Sequence, residues 1–266
     1  INDVIGAGCN CAGAPATESI ALRVFLEGKY DADAGLMNDA LRSLSMFPLA
    51  DPYPAIGYTH AGGGNNGSVS PAVLTVSGDD AIVDWVLTEL RSAIAPATVL
   101  ASRSALLQRD GDVVELDGSP PISFAVSQGL YYVAVRHRNH MGAMTKDPVS
   151  VSNGMAVVDF TDQLTDTYGA AARTSIMGLY PVVALWSGNT NFDDELKYVG
   201  DGNDRDPILV EIGGSLPTSV VLGTYSQNDC NLDGDVKYVG GSNDRDPILV
   251  NIGGSVPTNT REEQLP

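Results

Sequence analysis

The residues with the clearest capacity for chemistry form a run of alternating oxygen-bearing side chains near the end of the chain. Asp229, Asn231 and Asp233 alternate along it, Gly234 follows for a sharp turn, and Val236 supplies an apolar anchor. Calcium is a hard cation that takes oxygen ligands, and loops that bind it supply them from alternate positions. The spacing therefore predicts a calcium loop, with Ca²⁺ as the cofactor of this chain.

Such a loop also needs a closing carboxylate. The usual twelfth position is occupied by Gly240, which has no side-chain oxygen, although Asp235 adds a further acid to the turn. The sequence NDRDP follows closely at 243–247. An insertion of about three residues relative to the usual loop would bring Asp244 or Asp246 to the place of a bidentate terminal ligand.

This segment has an internal copy forty residues earlier. Residues 197–218 recur as 237–258 with eighteen of twenty-two positions identical. The first copy has fewer charged ligands, so it is predicted to bind calcium more weakly, in the range of about 10⁻⁴–10⁻³ M. Its candidate ligands are Asn189, Asn191, Asp193, Asp204 and Asp206.

Each copy continues into an apolar run that predicts a short helix. Asn243 or Ser242 can cap the second one, and the pair Gly253-Gly254 can end it. Arg205 and Arg245 are flanked by carboxylates and are predicted to form local ion pairs.

The charge balance limits the classes of partner. The chain has 15 basic and 33 acidic residues, a net charge of −18, and residues 187–266 alone hold fourteen of the acids and five of the bases. A negative field of this size repels phosphate backbones and anionic lipid, which disfavours nucleic-acid and membrane-surface binding. No run of eighteen apolar residues is present to cross a bilayer.

The middle of the chain predicts the elements of a β domain. Alternating apolar residues follow Ile20, and several short apolar runs come later, separated by turn residues. The pair Asp110-Gly111 lies between two apolar runs and predicts a β-hairpin. We therefore expect an antiparallel β-sandwich, Ig-like or jelly-roll-like, followed by a small calcium-binding subdomain with short helices. The predicted parts are an extended arm or linker at 1–19, a sandwich at 20–162, connecting strands at 163–186 and the duplicated subdomain at 187–266.

No catalytic constellation is predicted. The histidines are His60, His137 and His140, and the last two would point to opposite faces of one continuous strand. The motifs of serine hydrolases, P-loop proteins and zinc proteases are absent from the sequence. The Arg-rich face of that strand, with Arg136, has two interpretations: a polar sandwich face, or a surface that binds glycans or carboxylates.

Cysteine usage leaves the redox state open. Cys9 and Cys11 are too close in sequence to bridge each other comfortably. Either one can pair with Cys230 in an oxidising compartment, or all three can stay unpaired.

Two resemblances extend these predictions. The run at 229–236 resembles the first half of a dockerin calcium motif. Residues 20–266 resemble a module that recurs at the C-terminal ends of large secreted proteins of Bacteroidetes-type bacteria, on the segments ALRVFLEGKYD, ASRSALLQRDGDVV, YYVAVRHRNHMGAMT, the NDRDPIL repeats and the TR-x-x-QLP end. This resemblance implies an extracellular, surface-associated protein with an adhesive or structural role.

Two functions are consistent with these features. One is a structural subunit of a surface fibre, self-associating into a homo-polymer when the arm at 1–19 completes the sheet of a neighbouring copy. The alternative is a carbohydrate-binding or adhesive module of a larger secreted protein, with sugar facing the strand of Arg136 or the glycine-rich loop at 61–71. Since the chain begins at Ile1 without a leader, we expect a mature or trimmed product.

Overall fold

The computed structural model describes residues 17–64, 67–152 and 154–266. Over these residues the predicted mainly β, antiparallel class is confirmed, and both α-helices lie in the duplicated segment. In chain order the strands are β1 (Thr17–Arg23), β2 (Tyr30–Asp31), β3 (Leu36–Met37), β4 (Ile82–Ser92), β5 (Ala95–Gln108), β6 (Asp112–Val114), β7 (Ile122–Ala125), β8 (Gly129–His137), β9 (His140–Met144), β10 (Val149–Val151), β11 (Met155–Asp159), β12 (Arg173–Ile176), β13 (Val182–Leu185), β14 (Glu195–Lys197), β15 (Val220–Val221), β16 (Val236–Lys237) and β17 (Thr260–Glu262). The helices are α1 (Arg205–Glu211) and α2 (Arg245–Asn251), and short 3₁₀ turns lie at Ala40–Ser43, Tyr53–Ile56 and Val73–Thr75.

A nine-stranded sheet forms the β domain. Its main path runs β10-β8-β4-β5-β6-β1-β11, with β7 paired to β1 and β9 paired to β8. All pairings are antiparallel except that of β1 with β11. Because β10 and β11 follow each other in the chain and are in contact, the two ends of the sheet approach each other around the core. A sandwich of two separate sheets is not confirmed.

The hairpin prediction at Asp110-Gly111 is confirmed. Leu106 pairs with Val114 and Leu107 with Val113 across the turn. Gly111 has a φ of +94°, a conformation that glycine adopts without steric cost. The strand preference for the segment around Trp85 is also correct, since β4 is buried along almost its whole length.

The boundary of the predicted N-terminal arm is wrong. Strand β1 begins at Thr17 and lies inside the sheet, between β11 on one side and β6 and β7 on the other. Its apolar residues Ile20 and Leu22 are buried in the core, which explains why the strand is held there. The remainder of the arm, with Cys9 and Cys11, falls at positions 1–16, outside the described residues. Cys230, their predicted partner, is buried and has no disulfide partner among the residues that the structure describes.

The two repeats of the tail, residues 187–266, interlock. Strand β14 of the first repeat pairs with β17, which follows the second helix, and β16 of the second repeat pairs with β15, which follows the first helix. Helix α1 packs on β16 and α2 on β14. A second apolar core forms between them, and it includes Leu196, Ile208, Val236 and Ile248. Each copy therefore completes the fold of the other.

The ends of the helices follow the sequence signals. Asn243 Oδ1 accepts the N–H of Asp246 at 2.9 Å, as one of the two predicted caps, and Asn203 does the same for Asp206. After α2, Gly253 and Gly254 take positive φ and end the helix. Helix α2 also contacts the β domain, because the Nδ2 of Asn251 donates to Glu27 Oε2 at 2.6 Å.

Candidate metal-binding loops

The second loop folds around the side-chain oxygens of its alternate residues. Asp229 accepts the N–H groups of Asp233 at 3.0 Å and of Gly234 at 2.8 Å, one on each carboxylate oxygen. Asn231 Oδ1 accepts the N–H of Asp233 at 2.8 Å, and Asp233 Oδ1 accepts that of Asp235 at 2.9 Å. The predicted ligands at 229, 231 and 233 are thus brought together by one tight turn.

Asp244 closes this loop. Its carboxylate is fully buried and accepts the N–H groups of Cys230 and Lys237, both at 2.8 Å. Burial raises the pKa of Asp244 to about 8, and the nearby charges of Asp229 and Asp233 act in the same direction. Of the two closing residues predicted from the sequence, Asp244 is therefore the one that lies against the loop.

Three predicted ligands lie elsewhere. Asp246 pairs with Arg245 at 2.9 Å and Asp206 with Arg205 at 3.0 Å, which confirms the local ion pairs and places both acids on the outer side of the helix starts. Asp235 pairs with Lys237 at 3.0 Å.

The first loop repeats this plan with weaker contacts. Asn189 and Asn191 each accept the N–H of Asp193 at 3.2 Å. Asp204 is fully buried and accepts the N–H groups of Thr190 at 2.9 Å and Lys197 at 2.8 Å. Burial raises the pKa of Asp204 to about 7, and the charge of Asp193 adds to this effect.

The candidate donors of both loops are side-chain oxygens, the type of ligand that calcium prefers. Burial raises the pKa of Asp229 to about 6, so this carboxyl and the two closing acids are poorly compensated by protein cations. A divalent cation supplies such compensation and prefers oxygen ligands. In the described ranges no three acidic, histidine or cysteine side chains converge closely enough to hold a metal by themselves. Asparagine and main-chain oxygens would therefore complete the coordination.

Each loop is fixed to the β domain by its fourth residue. Phe192 and Leu232 occupy this place, both with a φ near +57°, in the left-handed region. Leu232 is fully buried in the core of the β domain. Phe192 is partly buried and lies under the guanidinium of Arg136, 4.5 Å from the ring centre. A change in either loop is thus transmitted directly to the packing of the β domain.

Asn139 joins both loops to the turn between β8 and β9. Its carbonyl accepts the N–H groups of Gly188 at 3.0 Å and Asn189 at 3.1 Å, at the start of the first loop. Its Nδ2 donates to the carbonyl of Asp229 at 2.6 Å, at the start of the second loop. No sequence pattern singles out Asn139, because a lone asparagine in a polar run gives no distinctive signal.

The predicted separation of His137 and His140 is wrong. The strand ends at His137 and turns, so that His140 begins β9, and the two Nδ1 atoms lie 3.1 Å apart. Both rings are buried, and burial lowers the pKa of each. Buried Asp84 lies 3.1 Å from His137 Nε2 and 3.0 Å from Arg138. Burial alone would raise the pKa of Asp84, but Arg138 and the bond from His137 lower it to about 2.

The strand of Arg136 does not offer a sugar-binding surface. Arg136 lies 3.1 Å from Glu263, near the end of the chain, and residues 137–140 are buried. The C-terminal segment folds back over this strand, and Arg91 donates to the carbonyl of Pro266 at 3.2 Å. The end of this strand, from Arg136 to the turn at His140, therefore forms a buried seam between the β domain and the tail.

One further polar cluster lies outside the tail. His60 Nδ1 is 3.0 Å from Ser102 Oγ, and His60 Nε2 is 2.8 Å from Asp51 Oδ2. An acid, an imidazole and a hydroxyl in this order form the arrangement in which the imidazole, acting as a base, activates the hydroxyl as a nucleophile. However, Ser102 is 2 % exposed, and its hydroxyl accepts the N–H of Ala61 at 2.9 Å. The cluster fastens the glycine-rich segment that begins at Ala61 onto β5.

Comparisons with protein-family models, with curated proteins and with solved structures gave no match for this chain. Among the described residues, the helices are too short to span a bilayer.

Proposed function

We propose that this chain is a non-enzymatic extracellular structural module whose tail binds calcium in two loops and braces the β domain. The observation that carries this proposal is the equivalent placement of Asp204 and Asp244. Each is a fully buried acid that lies against an oxygen-rich turn, with a pKa raised to about 7 or 8 by burial. Keeping two such acids in the fold is costly unless a cation compensates their charge.

The residues that would hold calcium in the second loop are Asp229, Asn231, Asp233 and Asp244, with Asn189, Asn191, Asp193 and Asp204 in the first. Calcium supplies positive charge that lets the buried acids remain ionised. Phe192 and Leu232 then carry the rigidity of the loops into the β domain, since each is the fourth residue of its loop and packs on that core. Weak sites of this class fill at the calcium concentrations found outside cells.

The finer part of the proposal is assembly into a surface fibre. Strand β11 forms a hydrogen-bonded ladder only with β1 among the described strands, and it is in contact with β10 without pairing to it. Met155 and Val157 on this strand are 54 % and 70 % exposed. An apolar edge of this kind favours addition of a strand from another copy. The residues preceding Thr17 are the proposed donor.

The calcium proposal is tested by titrating the purified full chain with Ca²⁺ in a calorimeter and by thermal unfolding with and without EDTA. We expect two sites and a clear loss of thermal stability in EDTA. The pair Asp204→Asn and Asp244→Asn should abolish both effects. The pair Asp206→Asn and Asp246→Asn is the matched control, since these acids lie two residues away and are paired with arginines. Equal behaviour of the two pairs would reject the proposed ligands.

Assembly is tested separately by negative-stain microscopy of the chain in calcium. Filaments that disappear when residues 1–15 are removed would support strand donation. Filaments that persist in the shortened chain, or a wild-type chain that stays monomeric at high concentration, would contradict it.

A further inference from the structure

The second loop receives a positive charge from the β domain. Lys29 lies in the turn that precedes β2 and is only 7 % exposed. The preceding residue packs directly on the loop backbone, because a Cβ on Gly28 would lie 2.5 Å from the carbonyl oxygen of Cys230. The main chain at Gly28 is also held in place by the buried turn of His140, because the Gly28 N–H donates to His140 Nε2 at 3.3 Å. The position of Lys29 relative to the loop is therefore fixed by the main chain.

Lys29 shares a cleft with the ligands of this loop. The cleft is lined by Lys29 and Asn38 from the β domain and by Asn231, Asp233 and Ser242 from the tail. Within the described residues the Lys29 ammonium makes no ion pair of 4 Å or less. A lysine residue that is 7 % exposed overall, lines this cleft and has no acidic partner within 4 Å among the described residues marks a place where charge matters.

The electrostatic surroundings agree with this placement. Burial lowers the pKa of Lys29, and the strongest opposing influence is the negative charge of Asp229, followed by that of Asp84 and of Asp233. Two of these three acids are proposed calcium ligands. The charge of Lys29 thus acts on the same carboxylates that a metal would use.

The first loop has no comparable lysine among the described residues. Each repeat has its own lysine beside the acid at the seventh position of its loop, Lys197 or Lys237, and Lys237 also lies 3.4 Å from Asp233. The basic residue of the β domain nearest the first loop is Arg136. It lies 3.9 Å from the exposed Asp194 and is already paired with Glu263 at 3.1 Å.

We propose that Lys29 is a built-in competitor for the cation at the second loop, weakening calcium binding there and leaving the first loop unaffected. This inference rests on the proposed calcium function. A fixed positive charge beside two ligand carboxylates repels a divalent ion and lowers its affinity. The second loop has one more carboxylate among its proposed ligands than the first, because Asp229 stands where the first loop has Asn189. The charge of Lys29 offsets this carboxylate, so the two loops fill at similar calcium concentrations.

The test measures each loop alone in the full chain. Asp193→Asn with Asp204→Asn leaves only the second loop, and Asp233→Asn with Asp244→Asn leaves only the first. Lys29→Met, which keeps the buried stem and removes the charge, is added to each background. Calcium affinity is measured by calorimetry, with near-ultraviolet circular dichroism to confirm folding. Lys29→Arg, which keeps the charge, is the control, and Lys29→Gln replaces Lys29→Met if the latter does not fold.

We expect Lys29→Met to raise the affinity of the second loop by about tenfold and that of the first by less than about twofold. Lys29→Arg should leave the second loop close to wild type. Unchanged affinity of the second loop after Lys29→Met, or an equal gain at both loops, would overturn the inference while leaving the calcium function intact. Absence of binding at both loops in every variant would instead remove the proposed function itself, and the inference with it.

Discussion

The two repeats of the tail share most of their sequence, but their loops meet the β domain differently. The second loop places Leu232 fully in the core, faces Lys29 and receives the side chain of Asn139. The first loop places Phe192 only partly in the core and is bonded to the carbonyl of Asn139. The shared NDRDP segment fixes the buried closing acid in both copies. The residues that differ set the charge of each loop and the strength of its attachment.

One difference between the copies has a direct electrostatic reason. Asn251 of the second repeat stands where the first has Glu211. The Asn251 side chain donates to Glu27 of the β domain, and Glu27 also accepts the N–H and hydroxyl of Ser187. A glutamate at 251 would place a second carboxylate beside Glu27. The difference at this position therefore follows from the different neighbours of the two helices.

The largest expected contrast comes from Leu232 and Phe192, the fourth residues of the second and the first loop. Leu232→Ala should cost about 2–5 kcal/mol in free energy of unfolding, as for other fully buried leucines. Phe192→Ala should cost less, although the side chain is larger, because it is only partly buried. Chemical denaturation of both variants in saturating calcium measures the contrast. A greater loss from Phe192→Ala would show that the first loop is the stronger attachment.

Acid should weaken the attachment of the second loop more than that of the first. Burial lowers the pKa of His137 and His140, so the unfolded chain takes up protons near pH 6.5 that the folded chain does not. In saturating calcium, which keeps the buried acids of the two loops ionised, the free energy of unfolding then falls as the pH drops below about 6.5, by up to about 1.4 kcal/mol per imidazole and pH unit. His140 accepts a bond from Gly28, which packs on the second loop.

This pH dependence is measured by denaturation at pH 7.5 and 5.5 in saturating calcium. His140→Gln cannot take up a proton and should reduce the difference between the two pH values by about half. An unchanged difference would exclude His140 as the source.

Asn139→Ala should affect the second loop and leave the first loop unchanged. The side-chain bonds to Asp229 and His140 are lost, while the carbonyl bonds to the first loop remain. We expect a loss of about 2 kcal/mol in free energy of unfolding, since the carbonyl of Asp229 is left without this donor. Calcium affinity should fall at the second loop alone, measured in the single-loop backgrounds described above. A fall at both loops would mean that the turn itself has moved.

The first position of each loop tests the role of ligand charge. Asn189→Asp gives the first loop the acid of the second, and Asp229→Asn makes the reverse change. We expect Asn189→Asp to raise the calcium affinity of the first loop about tenfold, and Asp229→Asn to lower that of the second loop about tenfold. The reason is that affinity follows the number of charged ligands. Calorimetry in the single-loop backgrounds measures both. Asn189→Asp also removes the bond from Asn189 Nδ2 to the carbonyl of Asp193, so a failure to gain would identify that bond as the stronger effect.

Local patterns predicted the loops and hairpin well, because each depends on neighbours in sequence. The turn at Asp110-Gly111 and the alternation of Asp229, Asn231 and Asp233 are of this kind. Spacing offered Asp244 and Asp246 as alternative closing residues, and the one that lies against the loop depends on which side of the helix start each acid occupies. That choice is made by burial against the loop, which spacing does not reveal.

The seam was not predictable in the same way. The break between His137 and His140 has no glycine or proline to mark it, so the segment resembled one continuous strand. The pairing of Arg136 with Glu263 joins residues far apart in the chain, and periodicity carries no information about such contacts. The burial of β1 between strands from later in the chain was hidden for the same reason.

The smallest expected effect lies at equivalent positions that differ between the copies. Ser242 has a φ of +53°, and its counterpart Gly202 has a φ of +66°. The left-handed conformation costs a residue with a Cβ about 1–2 kcal/mol. A glycine avoids this cost, but it loses part of the advantage because it has more conformational freedom in the unfolded chain. Ser242→Gly should therefore stabilise the chain by about 0.5–1 kcal/mol, measured by denaturation in EDTA to exclude effects on metal binding.

The reciprocal change, Gly202→Ser, is the control for this interpretation. A Cβ at Gly202 would meet no atom within 4 Å, so only the backbone conformation can oppose the substitution. Gly202→Ser should destabilise the chain by about the amount that Ser242→Gly stabilises it. If both changes destabilise, the serine contributes a local interaction that outweighs its backbone strain. The two loops would then differ at this position because of that interaction, and not because the second loop tolerates a strained residue.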